Sequence, residues 1–194
     1  MTALAVLPPG ADDTQLVRRA REGDLSAFEA LVSRYRDQVV RVATRIVGRD
    51  EAEDVAQDAL LRAFHSLPSF RGEAPFRSWL LRIVHNMSID ARNRRTPIPI
   101  DVDDGVSADV PDSPRPASML EQHERSDRMA LKIRELKPEH RAVLVLRDLE
   151  GMAYDDIARI TETPIGSVKG RLHRARKELI EALRNNTYDW ELPR

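Results

Sequence analysis

A stretch of 23 residues, TPIPIDVDDGVSADVPDSPRPAS at 96–118, sets the architecture of this 194-residue chain. It holds five of the twelve prolines and five aspartates, and no aromatic residue. Such a segment cannot bury enough apolar surface to offset the entropy of ordering it, so it is expected to be a flexible linker. It divides the chain into an N-terminal module at 12–95 and a C-terminal module at 126–186, with 96–125 between them. Both modules fall in the lower range of domain sizes.

Each module carries the three- and four-residue apolar spacing of helices. Phe28, Leu31, Val32, Tyr35, Val39, Val42, Ala43 and Ile46 make one stripe, which Asp24 or Ser26 can cap and Gly48 can end. A second helix is expected from about Asp50 to Phe64, burying Val55, Ala56, Ala59, Leu60 and Ala63. After the loop SLPSFRGEAP, a third carries Phe76, Trp79, Leu80, Ile83, Val84 and Met87 on one face. In the C-terminal module, Met129, Ile133 and Leu136 form a short stripe. Pro138 then opens a helix with Ala142, Val143, Leu146 and Leu149 that Gly151 stops. Leu146, Leu149 and Tyr154 are expected in the core. No strand alternation of useful length occurs, and aromatic residues make up only 5%. The expected fold is all-α, two small helical domains joined by an acidic, proline-rich linker.

The composition removes several kinds of chemistry. There is no cysteine, and no two of the five histidines stand three or four residues apart. Thiol catalysis, disulfides and a local metal site therefore have no support, and no cofactor or small-molecule substrate is expected. No nucleophile–base pairing or glycine-rich phosphate loop points to an enzyme. The opening MTALAVLPPG lacks a basic start and its apolar run stops at Pro8, and no run approaches the ~20 apolar residues needed to span a bilayer. A cytoplasmic protein without membrane insertion is expected.

Net charge is −1, but the charges are segregated. Residues 50–58 hold five acids and no base, and 71–95 hold six arginines against Glu73 and Asp90. Residues 165–184 carry six basic residues against Glu178 and Glu181. Two basic blocks separated by acidic ones suit two patches facing an anionic polymer.

The segment YDDIARITETPIGSVKGRLHRARKEL, 154–179, has a short helix, a tight turn and a second helix with a basic outer face. That is helix-turn-helix geometry, with Ile157, Ala158 and Val168 packing the pair. Lys169, Gly170, His173 and Arg174 fall on the outward face near the start of the second helix, the end that enters a major groove.

Residues 136–179 as a whole, LKPEHRAVLVLRDLEGMA followed by that segment, resemble region four of bacterial RNA polymerase sigma factors of the extracytoplasmic-function group. Residues 12–95 resemble region two of the same family through DDTQLVRRAREGDLSAFEALVSRY, DEAEDVAQDALLRAF and FRGEAPFRSWLLRIVHNMSIDARNRR. Two positions depart from it: Glu162 stands in the turn where the family often has glycine, and Gly170 where it often has serine.

The resemblance implies partners and roles. Asp50, Glu53, Asp54, Gln57 and Asp58 share one helix face and would dock core RNA polymerase at the clamp helices of its largest subunit, the flap being a second contact. Acids near a helix start also complement its dipole, which is their simpler explanation. The loop Ser69–Ala74 with Phe70 and Arg71, together with Asn86 and Asp90, would capture a flipped base of the minus-ten promoter element. Arg92, Arg94 and Arg95 would hold its backbone, and arginines interleaved with Phe70, Phe76 and Trp79 suit single-stranded DNA. Phe76 and Trp79 themselves are expected in the core. Ser167, Lys169, Gly170, Arg171, His173 and Arg174 would read the minus-thirty-five element, with Arg141 on its backbone. An anti-sigma factor is implied as a further partner. The acidic linker is a candidate to shield the basic patches. The rival reading is a free-standing helix-turn-helix regulator that binds palindromic DNA as a dimer without polymerase.

Overall fold

The computed structural model describes residues 12–94 and 128–184, and all of their regular structure is helical. The linker aspartates 101, 103, 104, 109 and 112, Arg95 and the tail from 185 lie outside the described residues.

Helix α1 spans Asp13–Arg21, with Asp13 in its first turn and Arg18, Arg19 and Arg21 in its last, the arrangement that complements a helix dipole. Leu16 and Val17 are its buried side. Asp24 caps α2 (Leu25–Val47): its carboxylate accepts from the Ala27 amide at 3.3 Å and is gripped by Arg19 at 2.6 Å. Leu31, Val39, Val42, Ala43 and Ile46 of α2 are buried, as their spacing predicts; Phe28, Val32 and Tyr35 of the same stripe are half-buried, and Ala27, outside it, is buried as well.

Gly48 turns the chain directly from α2 into α3 (Arg49–Ser66). Its φ of +102° is strained for any residue with a side chain, and a Cβ would sit 3.1 Å from the Arg134 guanidinium. The buried side of α3 is Ala52, Val55, Ala56, Ala59 and Ala63, small residues that let the backbones of α2 and α3 approach closely. A single 3-10 turn, Leu67–Ser69, leads through the loop to α4 (Phe76–Arg94).

Helix α4 differs from its sequence reading. The expected stripe is there, with Phe76, Leu80 and Val84 buried, but Ser78, Leu81 and Ser88 are buried too. These lie on a second face of the helix, which the C-terminal module covers. The described part of α5 (128–135) is followed by α6 (Pro138–Leu144), which widens into a π-turn at Val145–Leu149 closed by the Glu150 amide donating to Val145 O at 3.0 Å. Leu149 is 41% exposed and not a core residue, because the wide turn rotates it outward, while Leu146 is fully buried. Helices α7 (Tyr154–Thr161) and α8 (Ile165–Arg184) complete the helix-turn-helix, with Ile157 and Val168 wholly buried. The apolar cores of the two modules run into one another rather than standing apart.

Candidate nucleic-acid interface

The acidic face of α3 is built as the sequence predicts. Asp50, Glu53, Asp54, Gln57 and Asp58 are all exposed, opposite the alanine side that packs on α2. Glu53 of this face pairs with Arg36 at 3.4 Å. Five polar groups, four of them carboxylates, thus form one open negative surface.

The basic face of α8 is equally open. Ser167, Lys169, His173 and Arg174 are exposed, and Gly170 and Arg171 are half-buried. Lys169 Nζ lies 5.7 Å from the centre of the Tyr154 ring, on which Arg147 also stacks at 4.7 Å. A side chain at Gly170 would meet only the Arg174 guanidinium, at ordinary contact distance of 3.7 Å. Glycine there is not demanded by packing and leaves a gap in the reading face. His140 and Glu178, 2.9 Å apart, join the starts of α6 and the later part of α8, and Arg176 binds Asp148 at 2.6 Å. These ties orient the reading helix within its module.

At the other departure from the family pattern, Glu162 adopts φ +52° and ψ +39°, the left-handed conformation. It is the sole non-glycine residue with positive φ among the described residues. The turn therefore demands the geometry that glycine supplies without strain, and this chain fills it with a carboxylate bound to Arg82 of α4 at 2.6 Å.

The minus-ten candidates divide into three groups. Arg71 is exposed beside Glu73 on the loop, and Asn86 and Asp90 lie exposed one turn apart on α4. Asp90 shares an open hollow with Met87, Asn93, Arg94 and Arg62, the last contributed by α3 and missed by a reading confined to 70–95. Phe70 corrects the expectation: it is 7% exposed, with its ring 4.8 Å from Trp79 and 6.2 Å from Phe76, so it braces the loop from below and offers no face to a base. Phe76 is buried beside it, as expected.

Arg92 is a second correction, since it is half-buried on the side of α4 that faces the C-terminal module. Burial, with Arg134 beside it, lowers its pKa below the usual arginine range. Arg141 is the third. It is 2% exposed and donates to the carbonyls of Ile133 at 3.0 Å, Leu136 at 3.1 Å, Ile46 at 2.8 Å, and Arg134. Its guanidinium thus closes the C-terminal ends of α5 and α2 together and does not reach a DNA-facing surface. Burial, then the nearby charges of Arg92 and Arg134, pull its pKa down to about 9, which leaves it charged at neutral pH.

The family model of Sigma-70 region 2 matches residues 31–97, and that of Sigma-70 region 4 matches 126–179. The ECF RNA polymerase sigma-E factor of Haemophilus influenzae is 38% identical over 177 residues, covering 87% of this chain and 93% of that protein. This chain belongs to the sigma-70 family. It is a sigma factor of the extracytoplasmic-function group, also 35% identical over 185 residues to the RNA polymerase sigma-H factor of Pseudomonas aeruginosa, covering 88% of this chain and 93% of that one. The sigma factor's fold is similar to CnrH in complex with the cytosolic domain of CnrY (TM-score 0.68, 28% identity, 90% of this chain and 99% of that one). It is also similar to the sigma factor RpoE of Bartonella quintana in complex with the anti-sigma factor NepR (TM-score 0.63, 25% identity, 82% and 98%). No helix of the sigma factor, among the described residues, is long and apolar enough to cross a membrane.

Proposed function

We propose that this sigma factor binds core RNA polymerase through Asp50, Glu53, Asp54, Gln57 and Asp58, and directs it to promoters by two separate DNA contacts. The polymerase clamp helices are the partner for the acidic face and the flap the partner for the C-terminal module. Exposed Arg71, Asn86, Asp90 and Arg94, with Arg62 added by α3, take an unpaired base and the backbone of the minus-ten element. Ser167, Lys169, Gly170, Arg171, His173 and Arg174 read the minus-thirty-five element. The protein acts as a non-catalytic initiation factor in the cytoplasm, where the polymerase is, and an anti-sigma factor holds it inactive. The observation that carries this reading is the pairing of an open carboxylate face on α3 with an open basic face on α8, on separate modules of one chain.

Run-off transcription with purified core polymerase on a mixed genomic template tests it. New discrete transcripts that depend on this protein, and are lost with Asp54→Ala or Arg174→Ala, are the expected result. Absence of transcripts, with the protein alone binding a palindromic duplex, favours the free-standing regulator instead.

A further inference from the structure

Arg174 lies on the outward face of α8, but one of its nitrogens is already held. Its Nε donates to Nε2 of His140 at 3.4 Å, and Nδ1 of the same ring lies 2.9 Å from a Glu178 carboxylate oxygen. His140 is 3% exposed near the start of α6, and Glu178 stands one turn beyond Arg174 on α8. The three side chains thus form a line from a carboxylate, through a buried ring, to a guanidinium. A carboxylate only accepts hydrogen bonds, so the ring nitrogen facing it carries the proton. A guanidinium only donates, so the other ring nitrogen presents a lone pair. One form of the ring meets both demands, the neutral imidazole with its proton on Nδ1.

The hold on Arg174 uses one donor of its five. Nη1 and Nη2 stand over Gly170, 3.7 and 3.8 Å from where a Cβ would be, and no side chain at that position competes for them. These two terminal nitrogens can meet O6 and N7 of a guanine in a bidentate contact. Arg176 is arranged differently. Its Nε and Nη2 both bind the Asp148 carboxylate, at 2.9 and 2.6 Å, which commits its fork to the protein. In Arg174 the direction is set at Nε while the recognition atoms stay open.

We propose that His140 and Glu178 are positioning residues for promoter recognition: Glu178 fixes the tautomer of His140, His140 aims Arg174, and Arg174 reads one guanine of the minus-thirty-five element. The inference rests on the reading of α8 as the minus-thirty-five helix. Its physical basis is preorganisation. An exposed arginine samples many rotamers and gives them up on binding, whereas one already held at Nε has fewer to lose. The neutral ring is essential to the hold. An imidazolium would turn an N–H toward the guanidinium, setting two donors and two positive charges against each other. A simpler role for the His140–Glu178 contact, a staple between α6 and α8, predicts a different pattern of losses.

Competition binding of the reconstituted holoenzyme to a promoter, and to duplexes changed at each minus-thirty-five base pair, separates the two. The proteins are the parent, His140→Leu, His140→Gln, Arg174→Ala, and the double variant of His140→Leu with Arg174→Ala. Leucine removes the acceptor and keeps an apolar side chain in the buried position. Glutamine keeps a carbonyl oxygen to accept from Arg174 and an amide to donate to Glu178. His140→Leu is expected to weaken promoter binding by about three- to tenfold, the cost of ordering one long side chain. The loss is expected at the same base pair as that of Arg174→Ala, to be largely restored in His140→Gln, and to vanish in the Arg174→Ala background. An undiminished loss in that background, a loss spread evenly over all positions, or no loss in His140→Leu overturns the relay. Nitrogen-15 NMR of the free full-length chain gives a second readout, the His140 signals being those absent from His140→Gln. A proton on Nδ1 and a bare Nε2 are expected at neutral pH, and a proton on Nε2 overturns the relay. The NMR measurement needs neither polymerase nor DNA, and run-off transcription by the parent reports sigma activity alone, so failure of the relay is distinct from failure of the proposed function.

Discussion

The guanidinium of Arg141 donates to the carbonyl of Ile46 at 2.8 Å, joining residues 95 positions apart and closing the end of α2 with a side chain from α6. The same group serves the last carbonyls of α5. An arginine placed this way is a structural member of both modules. Its five donors and permanent charge suit a site where several carbonyls converge.

Arg141→Ala is therefore expected to destabilise the protein by about 2–4 kcal/mol, since buried carbonyls lose a charged donor and a cavity opens. Arg141→Lys, with one compact ammonium in place of the fork, recovers less than half of that. Urea unfolding followed by circular dichroism measures both. A variant that folds as stably as the parent and loses only DNA affinity would return Arg141 to the DNA surface.

Phe70 and Arg71 are neighbours with opposite expected effects. Phe70→Ala removes a buried ring packed on Phe76 and Trp79 and is expected to cost about 3–4 kcal/mol of stability. Arg71→Ala, on an exposed side chain, changes stability by less than about 0.5 kcal/mol. Its effect is expected in promoter opening, as reduced permanganate reactivity of minus-ten thymines. Equal stabilities for the two variants would contradict the burial of Phe70.

Glu162 holds a left-handed backbone at a cost of ~1 kcal/mol, and its exposed pair with Arg82 returns ~0–1 kcal/mol. Glu162→Gly relieves the first and forfeits the second, so thermal stability is expected to stay level or rise by a few degrees. Glu162→Gln keeps the strain without the charge and is expected to lower it. Differential scanning calorimetry of the three proteins orders them, and a clear loss in the glycine variant would show the ion pair to be the stronger of the two.

His85 lies on the second face of α4, where its Nδ1 is buried without a hydrogen-bond partner. Burial, reinforced by Arg171 and opposed by Glu162, lowers its pKa from 6.5 to about 4. Above pH 6.5 the group is neutral in both folded and unfolded chains and contributes no pH dependence. As pH falls toward 4 the unfolded chain takes up a proton that the folded chain refuses, so stability drops, by up to about 3 kcal/mol. His85→Gln is expected to flatten the stability profile between pH 6.5 and 4. An identical acid slope in the variant would assign the loss to other groups.

Lys169 is exposed on the reading face and, among the described residues, approaches Tyr154 only at a distance of 5.7 Å from the ring centre. Lys169→Ala is expected to weaken minus-thirty-five recognition by about 1–3 kcal/mol if it meets a base edge, with discrimination relaxed at one position. If it meets only phosphate, binding falls evenly across sequences and the salt dependence shrinks by one contact. Competition binding of polymerase holoenzyme to promoter variants separates the two.

Much of this protein is local, and local order is legible in a sequence. The α2 stripe, the Asp24 cap, the Gly48 stop, the acidic face of α3 and the helix-turn-helix each follow from spacing within one or two elements. So does the exposure of Asp50, Glu53, Asp54, Gln57, Asp58, Ser167, Lys169, His173 and Arg174, because a helix fixes which residues share a side. Phe70, Arg92 and Arg141 could not be placed this way. A polar or aromatic residue in a basic segment has the same sequence pattern whether it faces solvent or another element. The tertiary structure decided those three, Phe70 by folding the loop back onto Phe76 and Trp79, Arg92 by bringing α4 beside Arg134 of α5, and Arg141 by setting the end of α2 against α6. The second face of α4, at Ser78, Leu81, Arg82, His85 and Ser88, was present in the spacing, but its polar members disguised it. Burial there is stabilised by charges that find partners only after the modules meet, and no single segment of the sequence contains both partners.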